Sequence, residues 1–294
     1  MIRNRISLLD PMLAERMRAK PGRLGSLKTR VRQKLEARYG SGHVPLDEQT
    51  AAAHEITVAS YNIHKCVGTD GRFDPARIAE VIAELDADVV AIQEADKRFG
   101  RRQGLLDLAA LEGTGLRLVP SSQASDGHGW HGNALLLKRG EVEAMRRLTL
   151  PAAEPRGALL VDLALPAGPL RIVAAHLGLL RQVRRWQVRS ILDALEEGPR
   201  RPTLLLGDLN EWRPGRRSSL HDLRPHFGHV PHGLLSFPSY FPVVALDRVI
   251  GSAGLVTGLA VHDTPLAQVA SDHLPLKARI DIGAAVREIE AEAA

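Results

Sequence analysis

Short apolar runs ending in polar residues recur along this chain, and two longer stretches of helical period lie between them. Runs at 56–59, 88–92, 132–137, 159–165, 170–175, 203–206, 245–250 and 276–282 have the length and aliphatic character of buried strands. Over 75–85, Ile78, Val81, Ile82 and Leu85 share one face, and Asp74-Pro75 supplies a cap and a proline at the first helical position. The spacing predicts a second amphipathic helix over 179–196, with Leu180, Val183, Ile191 and Leu195 inward and Arg181, Arg185 and Arg189 solvated. Gly198-Pro199 ends it. Before the first strand, Leu27, Val31 and Leu35 predict a basic helix over 26–39, and 42–53 reads as a linker. The Ala- and Glu-rich segment 284–294 reads as a frayed helix. No internal repeat is visible. The chain therefore divides into a basic N-terminal extension and linker (1–53), a mixed α/β body (54–283) and a tail (284–294).

Composition adds limits. A hydrophobic content of 44% over 294 residues supports a sizeable core. Cys66 is the single cysteine, so no intramolecular disulfide can form, which fits a reducing compartment. No apolar run reaches the length of a membrane span, and the apolar stretch 6–9 is cut off by Asp10 and Pro11 rather than continuing as a signal sequence. The expectation is a cytoplasmic protein. The net charge of +5 is unevenly placed: residues 1–40 carry 11 Lys and Arg against 3 Asp and Glu, leaving the remainder slightly acidic. The extension could thus contact nucleic acid or the periphery of an anionic membrane, while the body lacks the basic balance of a tight duplex binder.

The polar residues with chemical potential sit where apolar runs end. Asp208 and Asn210 follow the run at 203–206, and residues two apart on an extended backbone point the same way. An anionic acceptor and a carboxamide can thus enter one site. Asn62 and Glu94 follow two other runs. Glu94 is a hard oxygen ligand suited to Mg²⁺ or Mn²⁺, and Asn62 can add a neutral oxygen. His176 ends the run at 170–175. His273 has a carboxylate neighbour in Asp272, and Asp247 could supply a second; a carboxylate bonded to one imidazole nitrogen fixes the tautomer and stabilises the protonated ring. Other schemes lack their parts: there is no Gly-x-Ser-x-Gly, no phosphate loop and no His-Glu-x-x-His.

Six of these segments, in order, resemble the motifs of the endonuclease/exonuclease/phosphatase, or deoxyribonuclease I-like, superfamily. They are Ser60-Tyr61-Asn62-Ile63, Ala91-Ile92-Gln93-Glu94, His176-Leu177-Gly178, Gly207-Asp208-Leu209-Asn210, Leu246-Asp247-Arg248-Val249 and Ser271-Asp272-His273. The resemblance spans 56–282 and implies a four-layer α/β sandwich of two facing mixed β-sheets flanked by helices. It also implies a Mg²⁺- or Mn²⁺-dependent phosphoester hydrolase acting on nucleic acid, a phospholipid or a small phosphodiester. Glu94 and Asn62 would serve the metal, and Asp208 would orient or deprotonate the attacking water. Asn210 would hold the phosphate or that water, and His176 would donate to the phosphate or the leaving side. His273 would be a base or a stabilising cation, oriented by Asp247, and Asp272 would support either the metal site or His273. Arg248 stands where the family often has tyrosine. Asn133 and Arg156, with Arg248, are similar to site-lining residues of a bacterial branch with poorly defined substrates. The alternative is a non-catalytic interaction domain that keeps the fold and is recruited through 1–53.

Overall fold

The structure, a computed structural model, describes residues 55–97, 100–152 and 154–293. The basic helix and linker expected within 1–53 lie outside the described residues. Eleven strands among the described residues form two sheets. In chain order they are β1 (Glu55–Asn62), β2 (Val89–Gln93), β3 (Arg117–Leu118), β4 (Ala134–Leu137), β5 (Glu141–Leu150), β6 (Arg156–Leu165), β7 (Gly168–His176), β8 (Thr203–Asp208), β9 (Asp247–Gly251), β10 (Val256–Val261) and β11 (Leu276–Asp281). The first sheet has the order β10-β11-β1-β2-β4-β3 and the second β5-β6-β7-β8-β9. The helices are α1 (Pro75–Leu85), α2 (Leu108–Glu112), α3 (Arg181–Glu196), α4 (Arg224–Phe227), α5 (Pro265–Ala270) and α6 (Ile282–Ala293).

The alternation of side chains along a strand explains the layering. Val58, Val89 and Leu135 of the first sheet pack with Ile172, Leu204 and Leu159 of the second in a core between the sheets. Their neighbours Ala59, Val90 and Leu136 turn outward onto Ile78, Val81, Ile82 and Leu85 of α1. On the other side, Leu160, Val173 and Leu205 meet Val188, Ile191 and Leu195 of α3. The result is the four-layer α/β sandwich of two mixed sheets flanked by helices.

Each sheet contains one parallel pair, β1–β2 and β7–β8, set between antiparallel neighbours. The pairs are joined across α1 and α3, as parallel pairing requires a crossover. The two sheets thus repeat a topology with no visible repeat in sequence. The functional consequence is that β1, β2, β7 and β8 end together. Asn62 stands in register with Gln93, and His176 with Asp208, which in turn faces Asp247 at the start of β9.

Gly207 is what lets β8 run into this cluster. Its φ is +144°, and a Cβ there would lie 1.9 Å from the Ala175 carbonyl oxygen. Gly207→Ala is expected to cost about 2–4 kcal/mol, read as an earlier midpoint in a urea melt.

Several elements differ from the sequence expectation. Leu180 lies before α3 and is 69% exposed, Val183 is only half-buried, and Arg184 is fully buried together with Gln187, Val188 and Ile191. Helical period alone favoured the leucine; burial follows the ion pair that Arg184 makes. The edge strand β5 carries alternating charges and a mostly exposed pattern, so no apolar run marked it. The strand expected to contain Asp247 begins with it. The tail forms α6, and Ala285 and Val286 dock it on the central core, so it is packed rather than frayed.

Candidate active site

Asp208 is the focus of the shared strand ends and is 2% exposed. Its Oδ2 accepts the Asn62 amide at 3.0 Å and lies 3.3 Å from His176 Nε2 and 3.9 Å from His273 Nε2. Its Oδ1 accepts the Asn210 backbone N–H at 3.0 Å. Burial works against the charge, but His176, His273 and the Asn210 amide outweigh it and hold the carboxyl far below the usual range. Asn210 adopts a φ of +52° and anchors its amide on the Leu177 carbonyl at 3.1 Å. The β8 turn is therefore tied to the end of β7.

His273 precedes β11, and its Nδ1 sits 2.9 Å from Asp247 Oδ2. The same carboxylate oxygen accepts the Ser236 hydroxyl. The Phe237 ring packs against the imidazole, centroids 4.9 Å apart. Burial would push His273 down, but Asp247, Asp208 and Asp272 prevail and raise it to about 10. The ring is therefore an imidazolium at neutral pH, facing Asp208 with its other nitrogen. Asp272 is further out, 3.9 Å from His64 Nδ1, and its neighbour Ser271 bonds the Asn62 carbonyl at 2.7 Å.

Glu94 follows β2 with a φ of +60°. Lys65 Nζ approaches its Oε2 at 2.7 Å. Desolvation opposes the charge, but His176 and Lys65 more than offset it and keep the carboxylate ionised. Asn62 Oδ1 accepts the His64 N–H at 3.1 Å, which aims its amide at Asp208. Among the described residues no three His, Cys, Asp or Glu side chains form a ready metal cage. One carboxylate plus a carboxamide oxygen fits Mg²⁺ or Mn²⁺, which retain waters and take ligands from substrate phosphate.

The remaining expected residues separate into two groups. Arg156 lines a cleft beside Glu94 and His176. Asn133 is fully buried and donates to the Trp130 and Gly157 carbonyls at 3.2 and 2.9 Å, so it braces the loop rather than lining the site. Arg248 is also buried. Its guanidinium donates to the carbonyls of Ala245, Asp247 and Glu211 at 2.9, 2.8 and 2.6 Å and packs against Gly233. It ties the Asp247 strand to the Asp208 loop and does not reach the cleft.

Sequence reading missed a second brace. Glu211 and Arg184 are both fully buried, 3.1 Å apart, and Glu211 also accepts the Ser219 N–H and hydroxyl at 2.7 and 2.6 Å. Glu211 lies beside Asn210, so this network fixes the loop that carries it. Glu211→Ala would leave Arg184 buried without its counter-charge, at an expected cost of about 3–5 kcal/mol measured by chemical denaturation. Lys65, Asp96, Arg102 and His131 were also missed, although they line the cleft with Arg156. Lys65, Asp96 and His131 lie within three residues of Asn62, Glu94 and Asn133, whereas Arg102 carried no sequence signal.

Residues 59–273 match the model of the Endonuclease/Exonuclease/phosphatase family. The chain belongs to this family. Its sequence is 27% identical over 251 residues to the Escherichia coli protein YbhP, covering 76% of this chain and 96% of YbhP. Among solved structures, an endonuclease/exonuclease/phosphatase from Beutenbergia cavernae is 22% identical with a TM-score of 0.59, over 79% of this chain and 72% of that one. TDP2 from D. rerio, crystallised with a single-strand DNA product, is 16% identical with a TM-score of 0.55, over 77% of this chain and 98% of that one. These structural likenesses carry the fold. Family membership carries the chemical class, that of phosphoester hydrolysis with a divalent metal. No helix among the described residues is long and apolar enough to cross a membrane.

Proposed function

We propose that this protein is a Mg²⁺- or Mn²⁺-dependent phosphodiesterase acting by in-line attack of water. The observation that carries the reading is one buried carboxylate, Asp208, in contact with Asn62 and His176 and beside a charged His273, with Glu94 sharing a cleft with His176. Glu94 would hold the divalent ion, with the Asn62 oxygen as a second donor, and the ion would supply Lewis-acid chemistry to the substrate phosphate. Asp208 is ionised in the resting protein and accepts a hydrogen bond from the attacking water; it is transiently protonated as the bond to phosphorus forms and returns that proton to solvent or the leaving oxygen. Asn210 keeps the Asp208 turn rigid. His176 and the His273 imidazolium stabilise charge developing on the phosphate and leaving oxygens. Asp247 holds His273 in its charged state. A non-catalytic domain would have no need for four buried polar groups converging on one carboxylate.

The test uses a nonspecific phosphodiester, a phosphomonoester, single- and double-stranded DNA, RNA and phospholipid vesicles, each with Mg²⁺, Mn²⁺ or EDTA. Metal-dependent turnover of a diester is expected; no turnover on any substrate would sink the proposal. Glu94→Gln should weaken Mn²⁺ binding at least about ten-fold, measured by calorimetric titration without substrate. Removing residues 1–53 and repeating the vesicle and DNA binding assays tests recruitment through the extension.

A further inference from the structure

The cleft that holds Glu94 and His176 is also lined by Lys65, Asp96, Arg102, His131, Gly132, Pro155 and Arg156. Three of these side chains are permanent cations, set against Glu94 and Asp96 in the lining and Glu154 beside Arg156. Four of them project from left-handed backbone: Lys65 at φ +54°, Glu94 at +60°, Arg102 at +49° and His131 at +49°. Such conformations are costly for residues with a Cβ and gather where a site requires them. The surrounding packing holds them there. Gly132 donates to Asp96 at 3.1 Å and accepts from the Ala95 N–H at 2.9 Å, locking the His131 turn onto the end of β2. Arg156 opens β6 alongside, 5% exposed, with one guanidinium nitrogen 3.2 Å from Glu154. His131 Nδ1 is buried and has no hydrogen-bond partner in the structure.

A single phosphodiester carries one negative charge, and the Asp208 centre already offers it a metal ligand, two histidines and two carboxamides. In the free protein Lys65 is paired with Glu94 and Arg156 with Glu154; a divalent ion on Glu94 would release Lys65, and the cleft would then hold more positive charge than that one group needs. Guanidinium and ammonium groups converging beside a reacting phosphate match a second phosphate, which presents several acceptor oxygens to such donors. We propose that the cleft of Lys65, Arg102, His131 and Arg156 binds a second phosphate of the same substrate, next to the one that is cleaved. This rests on the phosphodiesterase reading and narrows it to substrates with two neighbouring phosphate groups. Lys65 then moves between two anionic partners, Glu94 in the free protein and the second phosphate in the complex.

Equilibrium binding distinguishes this inference from the catalytic proposal, because it needs no turnover. Calorimetry with Mg²⁺ on the full-length Asp208→Asn chain, in which turnover is suppressed, would compare dithymidylate with 5′-phosphorylated and 3′-phosphorylated dithymidylate, and phosphatidylcholine vesicles doped with phosphatidylinositol against the same vesicles doped with phosphatidylinositol monophosphate. At least one arm bearing the extra phosphate is expected to bind ten-fold or more tightly than its partner, and that arm identifies the source. Arg102→Gln and Lys65→Gln, each checked for an unchanged melt, should reduce that preference to three-fold or less, and Arg102→Lys should restore part of it. Equal binding within each pair, no binding in any arm, or a preference that survives both substitutions would overturn the assignment. Loss of all turnover in the substrate panel would count against the phosphodiesterase reading and leave this binding result standing.

Discussion

Asp208→Asn should lower kcat by about 10³ or more while leaving KM within a few-fold of its value. Asparagine preserves the shape of the side chain but removes the negative charge that Asn62, His176 and His273 all address. It also brings an amide N–H toward the Asn62 amide, donor against donor. A thousand-fold loss corresponds to about 4 kcal/mol of transition-state stabilisation, within the range that one buried, hydrogen-bonded charge can supply. The effect falls on kcat because Asp208 acts on the attacking water rather than on ground-state substrate. Removing His176 as well should add far less than its own single effect, since the two groups work on one reacting centre. A kcat within ten-fold of the wild type would remove Asp208 from the centre of the mechanism. The same substitution should reduce stability at neutral pH. A carboxylate held below its unfolded pKa contributes stability above about pH 4, and that contribution disappears as pH falls through its native value.

The sequence made the framework of this site legible because strand ends are easy to read. Apolar runs of strand length stop at Asn62, Glu94, His176 and Asp208, and the two parallel pairs bring those stops together. Motif order then pointed to Asp247 and His273, and the structure joins them at 2.9 Å. What sequence could not show was direction. Arg248 and Asn133 were read as facing substrate, yet both are buried and spend their donors on backbone carbonyls. Their burial depends on neighbours distant in sequence, Glu211 and Gly157 among them. Arg184 was hidden for a related reason. Arginine counts as polar in any periodicity, so its partner Glu211 had to be located before its burial made sense. The cleft residues Lys65, Arg102 and His131 come from three segments with left-handed backbone, and no composition rule marks a non-glycine residue for that conformation. β5 escaped notice because an exposed edge strand bears charges that blunt edge pairing and erase the apolar signal.

Asp247→Asn should move the alkaline limb of the pH–rate profile from about pH 10 toward the ordinary histidine range, with a loss of about 10²–10³ in kcat at pH 8. The argument follows from which groups sustain the His273 charge. Burial alone would keep the ring neutral; Asp247, bonded to Nδ1, is the largest factor opposing it, and Asp208 and Asp272 add to the effect. With Asp247 neutral, the ring sheds its proton at a pH where the native protein keeps it, and the cation facing the phosphate is lost. Stability should follow the same titration. A histidine whose pKa is raised on folding contributes stability that is complete below its unfolded value of about 6.5 and is lost as pH rises through its native value of about 10. Urea midpoints of the native protein should therefore fall between pH 7 and pH 10, and those of Asp247→Asn should change much less over that interval. An NMR titration of the His273 Cε1 proton reads the pKa directly in both proteins. A limb near pH 10 that persists in Asp247→Asn would mean that another group carries the alkaline transition. His273→Gln separates the two cases, because it removes the imidazolium while keeping a donor toward Asp247.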